Sequence, residues 1–359
     1  MSPLAAVLER QIALTGPISL AEYMMLCLSH PEHGYYISRN PLGAAGDFTT
    51  APEVSQLFGE MIGASLLSAW QAQGQPTPFA LVELGPGRGT LMADILRVAA
   101  QVRGAEAAEI WLVETSPALR RRQAETLASQ QPHWANRLDE VPDLPLFLVA
   151  NEFFDALPIR QYVRGARGWQ ERLVGWDSGP QPLLGPELAQ PLLDQRFGTP
   201  PVGTVVETCA AGEAIAAEIG GRLAAHPGAA ILIDYGAWAG TGDTFQAVRD
   251  HAVADPFAEP GLADLTAHVA FAPLAGAAVA AGAQASALVA QGVLLERLGI
   301  TARAQRLANA QSDPAARQGV ATAHRRLTHP EEMGTLFQAL ALASPDGPLP
   351  PGFESDDDA

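Results

Sequence analysis

The sequence predicts an α/β protein whose core is a doubly wound, mostly parallel sheet. Three observations support this. Short apolar runs at 79–84, 109–114, 146–150 and 229–235 each carry an acidic or polar residue at or next to their C-terminal end: Glu83, Glu114, Asn151 and Asp234. Each run is followed by a glycine-containing loop or a helix start, and stretches of helical periodicity separate them. No fixed-period repeat interrupts this order, so one domain with additions is expected rather than two independent ones.

The elements follow in chain order. Residues 3–15 and 19–29 have helical periodicity, and Ser19 is placed to cap the second helix. A loop over 33–52 leads into a third helix over 53–71, in which Val54, Leu57, Phe58, Met61, Ile62 and Leu66 recur at helical spacing. These parts form an N-terminal helical region, 1–78, before a core over 79–359. Within the core, Ser116-Pro117 reads as N-cap and first helical residue. Segments 161–164 and 170–176 read as a hairpin, and 177–201, rich in Pro, Gly and Leu, as an insertion or linker, giving an insertion at about 160–202. A strand at 204–207 and an alanine-rich helix over 209–225 resume the α/β alternation.

Composition narrows the function. The formal net charge is −17, from 22 basic and 39 acidic residues, so a nucleic-acid backbone is a poor partner and a basic protein segment a suitable one. Cys27 and Cys209 are far apart, without metal-ligand spacing, so neither a disulfide nor a metal is expected. The first twenty residues show no secretory h-region and no Arg/Ser-rich leader, which leads to the expectation of a cytoplasmic protein. The uncharged 269–295 stretch is mostly small residues broken by Pro273, Gln284 and Gln291, so buried helix and strand, not a membrane span, are expected.

The segment Glu83-Leu84-Gly85-Pro86-Gly87-Arg88-Gly89 carries the most chemistry. Its glycines let backbone approach a ligand closely, and the helix start offers unpaired N–H groups to an anion. The dinucleotide pattern G-x-G-x-x-G fails, because Thr90 or Met92 occupies the last position. No Gly-Lys-Ser/Thr follows, which excludes a nucleoside-triphosphate P-loop. What stands is Glu-x-Gly-x-Gly-x-Gly, the usual form in class I S-adenosylmethionine methyltransferases. Glu114 lies 25 residues after Gly89, at the tip of the next strand, where an acid accepts hydrogen bonds from a ribose diol. The purely structural alternatives are a packing turn and a helix-entry acid.

Three further segments place carboxylates at strand ends or loops. Asp47 lies in Gly46-Asp47-Phe48-Thr49-Thr50-Ala51-Pro52-Glu53. Glu152 and Asp155 lie in Asn151-Glu152-Phe153-Phe154-Asp155-Ala156-Leu157-Pro158, where they share a face if the segment is helical. Asp234 lies in Ile233-Asp234-Tyr235-Gly236. An Asx-turn at Asp47 and a helix entry capped by Asn151 are the structural alternatives.

Together with His33-Gly34-Tyr35-Tyr36, Phe58-Gly59-Glu60, 264–269 and 332–337, the ordered set resembles the MidA-like family of class I methyltransferases over nearly the whole chain. The resemblance implies a Rossmann-like fold and S-adenosylmethionine as cofactor. It implies protein-arginine N-methylation of a respiratory complex I subunit or assembly intermediate. Glu83, Gly85, Gly87 and Gly89 would then lie under the methionine moiety, Glu114 on the ribose, and Asn151 at the adjoining strand end. Glu152 and Asp155, then Asp47 and Asp234, are the candidate catalytic carboxylates. The competing readings are a small-molecule O- or N-methyltransferase and a cofactor-binding assembly factor with little turnover; a homodimer is left open. One departure stands out: His268-Val269-Ala270-Phe271 replaces the family's His-Val-Asp-Phe, which puts substrate handling in question.

Overall fold

The computed structural model describes residues 2–38, 50–249 and 251–353. Its centre is a sheet in which the strands His133–Ala135, Ala108–Val113, Phe79–Leu84, Leu146–Asn151 and Gly228–Ala237 lie side by side and parallel. Phe337–Ala343 runs antiparallel beside Gly228–Ala237, and Gln284–Ala285 and Val289–Ala290 pair with its other edge. The chain leaves Phe79–Leu84 for one side of the sheet and later returns on the other, which opens a crevice at the carboxyl ends of the strands.

Register aligns those ends. Leu84 is level with Val113 and Ala150, and Ile233 with Asn151, so Gly85, Glu114 and Glu152 leave the sheet at one rim, level with Asp234, which is still paired with Gln338. The strands are buried on both faces, which is why they read as continuous apolar runs. Phe79 and Leu81 pack toward the helices Gln56–Ala72, Thr90–Ala99 and Ile300–Ala310. Ala80, Val82 and Leu84 face Ala210–Ala225 and Phe271–Ala280.

Two sequence readings are corrected by this architecture. The 177–201 segment is not a linker, because Pro180–Leu188 pairs antiparallel with Trp169–Trp176 and Pro191–Phe197 is helical. Val205–Thr208 does not return to the central sheet; it pairs with Arg160–Arg164 in a second sheet. Short apolar strands look alike in sequence, and only long-range pairing decides which sheet they join. Ile18–Ser19 also pairs with Trp169–Trp176, so Leu8, Leu20 and Tyr23 of the N-terminal helices share a core with Val174 and Leu265.

The helix expected over 53–71 is two helices, Ala51–Val54 and Gln56–Ala72. Ser55 between them is extended at φ −167° and accepts the Leu57 N–H. The expected Ser19 and Ser116 caps are present, accepting from Glu22 and Leu119 N–H. The 269–295 stretch forms Phe271–Ala280, three short strands and the start of another helix. No described helix is long and apolar enough to cross a membrane.

Candidate active site

The loop after Phe79–Leu84 needs its glycines for conformation and clearance. Gly85, Gly87 and Gly89 have φ of 60°, 51° and 81°, the left-handed region that side chains disfavour. A Cβ on Gly85 would stand 2.8 Å from Phe153 Cδ2, so the Gly loop and the Phe153 loop pack too closely for any side chain there. Gly89 is the N-cap of Thr90–Ala99, packed against Gln123.

Glu114 follows the neighbouring strand. Its Oε1 accepts the Ser116 N–H at 2.7 Å and its Oε2 accepts Gln123 Nε2 at 3.3 Å. Burial pushes its carboxyl above the usual range, and the Ser116 N–H opposes that shift. A cavity of about 450 Å³, large enough for a nucleoside-sized ligand, is lined by Gly85, Gly87, Glu114, Glu152 and Phe153. Leu28, Ser29 and Tyr36 of the N-terminal region line it too. A smaller chamber of about 60 Å³ shares Gly85, Gly87 and Glu152 with it and adds Glu53, Glu83, Arg88 and Asn151.

Glu83 is buried beneath that chamber, and its Oε2 has no hydrogen-bond partner. Burial lifts its carboxyl to about 8, with the Met92 N–H opposing. Asn151 donates from Nδ2 to Glu152 Oε1 at 3.0 Å and leaves its own Oδ1 unpartnered. Two buried acceptors without donors therefore border one small chamber.

The carboxylates expected to act together are separated by the fold. Glu152 lines both spaces and has a left-handed backbone, φ 51°, which rules out the structural alternative of a helix entry capped by Asn151. Its Oε1 accepts the Ala51 N–H at 3.0 Å, and burial raises its carboxyl to about 7. Asp155 lines neither space; its Oδ2 accepts the Tyr235 hydroxyl at 2.5 Å, and burial raises it to about 6. Asp234 is fully buried and lines neither space. Its Oδ2 accepts the N–H groups of Phe153, Phe154 and Asp155, and its Oδ1 that of Tyr235. Asp234 is thus a clasp for the loop that carries Glu152. Burial, with Asp155 and Glu152 nearby, pushes its carboxyl upward. Asp47 lies outside the described residues.

Sequence reading missed several groups. Asn136, Arg137, Leu138 and Asp139 line the far end of the large cavity, after a strand of only three residues that has no apolar run to announce it. Gln123 is completely buried in a polar-looking helix and joins Gly87, Glu114 and Trp134. Glu53 holds the Gly loop by accepting Arg88 Nη1 at 3.1 Å and the Thr90 hydroxyl at 2.6 Å.

A parallel sheet with its crevice at the switch point, a left-handed Gly loop and a buried acid at the end of the next strand have the layout of a class I methyltransferase site. The comparisons agree. The S-adenosyl-L-methionine-dependent methyltransferase family model matches residues 61–289, and the chain belongs to that family, as the MidA-like resemblance implied. It is 39% identical over 367 residues to the protein arginine methyltransferase NDUFAF7, mitochondrial, of Danio rerio, covering 93% of this chain and 85% of that one. Identity to the Homo sapiens protein of the same name is 35% over 381 residues, covering 95% and 83%. A crystal structure from Burkholderia thailandensis, bound to S-adenosyl-homocysteine, is 31% identical with a TM-score of 0.81, covering 98% of this chain and 92% of that chain. The chain is a class I, S-adenosylmethionine-dependent methyltransferase.

One expectation is corrected at this point. The cytoplasmic assignment does not stand, because the curated relatives are mitochondrial proteins by name. A missing leader pattern carries no compartment information by itself. At the position of the departure, Ala270 ends the short strand Val269–Ala270, is the N-cap of Phe271–Ala280 without a side-chain cap bond, and lines a third cavity of about 30 Å³ beside Glu207 and His268 rather than the large cavity or the Glu83 chamber.

Proposed function

We propose that this methyltransferase acts on arginine in a protein, with a respiratory complex I subunit as the first substrate to test, and that Glu152 receives the acceptor guanidinium. The observation that carries the reading is the position of Glu152, a half-buried carboxylate on strained backbone at the junction of the two spaces. The names of the curated relatives point the same way. A small-molecule acceptor and a binding-only role are the readings it has to beat.

The residues fit the cofactor. Glu83 Oε2 and Asn151 Oδ1, both buried acceptors lacking donors, suit the methionine ammonium, and Glu114 suits the ribose hydroxyls. The Gly loop N–H groups suit the carboxylate. When bound, S-adenosylmethionine supplies an electrophilic methyl on a sulfonium.

A guanidinium is a poor nucleophile, with a pKa above about 12 and only donor nitrogens. Glu152 Oε1 is already held by Ala51 and Asn151, which fixes the carboxylate for a second, charge-assisted interaction with the guanidinium. Ionised, it draws positive charge toward itself and away from the attacking nitrogen. As the new N–C bond forms and the C–S bond breaks with its electron pair to sulfur, the nitrogen's proton passes to this carboxylate. A carboxyl near 7 suits that transfer at neutral pH. Phe153 and the N-terminal Leu28 and Tyr36 line the cavity and exclude water.

The test is transfer of a labelled methyl from S-adenosylmethionine into a candidate complex I subunit, with Glu152→Gln as control. Label at arginine, lost in the variant, is the expected result. Label only in metabolites favours the small-molecule reading, and tight binding without transfer favours the assembly factor.

A further inference from the structure

We propose that Gln123 is a positioning residue of the cofactor site, a neutral buried amide that aims the Glu114 carboxylate at the ribose diol. Gln123 has no solvent exposure. Its Nε2 donates to the Gly87 carbonyl at 2.8 Å and to Glu114 Oε2 at 3.3 Å, and its Oε1 accepts the Trp134 indole N–H at 2.8 Å. One side chain thus joins the Gly loop, the ribose carboxylate and the short strand that leads to Asn136.

The chemistry of the partners fixes its orientation. An indole N–H only donates and a carbonyl only accepts, so the amide cannot turn over without leaving Trp134, Gly87 and Glu114 all unsatisfied. Glu114 Oε1 is held by the Ser116 N–H, so Gln123 is what restrains the second oxygen. A neutral donor does this without adding a second cation beside Arg120, whose guanidinium is held on the Glu114 carbonyl and already acts on the carboxylate. Position 89 packs beside Gln123: a Cβ there would stand 3.6 Å from both Cα and Cγ of Gln123, ordinary contact, so Gly89 is required by its left-handed backbone, φ 81°, rather than by clearance.

The inference rests on Glu114 as the ribose ligand, and the experiment separates the two. Calorimetric affinity is measured for S-adenosylhomocysteine and for its 2′,3′-dideoxy analogue, in the native protein, Gln123→Leu and Trp134→Phe. The native protein should prefer the diol by about 10- to 100-fold, the range for hydrogen bonds to a charged group. Gln123→Leu should lower the affinity for S-adenosylhomocysteine and bring the ratio within about threefold, leaving the dideoxy affinity nearly unchanged. Trp134→Phe, a milder change, should lower the ratio in the same direction. A general structural defect would weaken both ligands equally, which would overturn the proposal, as would folded variants with the native ratio. A native protein without diol preference would overturn the Glu114 assignment and the proposal with it. A native preference that persists in the variants overturns only the role of Gln123. If Gln123→Leu does not fold, the Trp134→Phe ratio decides.

Discussion

Glu152 Oε1 accepts the backbone N–H of Ala51 at 3.0 Å, a bond that spans 101 residues of sequence and ties the N-terminal region to the tip of a central strand. Glutamine at 152 keeps an oxygen for this bond and removes only the charge. Glu152→Gln should therefore lower methyl transfer about 10²- to 10⁴-fold, the usual worth of a proton-transfer group. Its affinity for S-adenosylhomocysteine should stay within about threefold of native. Single-turnover rates alongside calorimetry check both; a fully active variant would remove Glu152 from the chemistry.

The protonation of the same group predicts a pH profile. With burial raising the Glu152 carboxyl to about 7, the active, ionised form increases as pH rises through that value. The transfer rate at saturating substrate should climb about tenfold per pH unit below neutrality and level off above it. A flat profile across that window would exclude a proton acceptor with this pKa.

Glu83 predicts a linkage between cofactor, proton and stability. Its carboxyl sits at about 8 in the fold against about 4.3 in an unfolded chain, so the folded state holds the proton more tightly. The resulting stabilisation is complete below the unfolded value and is lost as pH rises through the folded one. Thermal denaturation of the ligand-free protein at about pH 5.5 and about pH 8 should show a smaller decline for Glu83→Gln than for the native chain. A methionine ammonium beside Glu83 favours the ionised form, so binding near neutral pH should release up to about one proton. Binding enthalpies that do not vary with buffer ionisation would contradict this.

Gly87 has φ 51° and lines both spaces. Gly87→Val combines a disfavoured backbone with two methyl groups in the ligand's path. Loss of measurable S-adenosylhomocysteine binding in a folded protein is expected, and unchanged affinity would count against the loop.

Ala270 leaves the N-terminus of Phe271–Ala280 without a side-chain cap. Ala270→Asp should stabilise the protein by about 0.5–2 kcal/mol, read as a higher denaturant midpoint, with methyl transfer unchanged. A large change in activity would return position 270 to substrate handling.

Legibility followed the range of the interaction that sets each feature. The Gly loop, Glu83 and Glu114 could be read because each depends on backbone geometry within a few residues of a strand end. Of the second sheet only the hairpin of Arg160–Arg164 and Trp169–Trp176 could be read, because Pro180–Leu188 and Val205–Thr208 acquire their partners only through pairing with other segments. Among the four candidate carboxylates, residue type did not distinguish a clasp from a site group. Asp234 was separated from Glu152 by the N–H groups it accepts, and Asp155 by its bond to Tyr235.

The sequence by itself determined the α/β class, the order of the parallel strands' apolar runs and the chemistry at their tips. Periodicity, glycine spacing and strand-end acids are local properties of the chain. Only the tertiary structure decided that Glu152 stands at the junction of the two spaces while Asp234 is sealed beneath it. It also decided that Gln123, unremarked in a polar helix, reaches the cofactor site. The reason is physical: a carboxylate or amide acquires its role from burial and from donors brought by distant segments, and neither exists until the sheet has assembled.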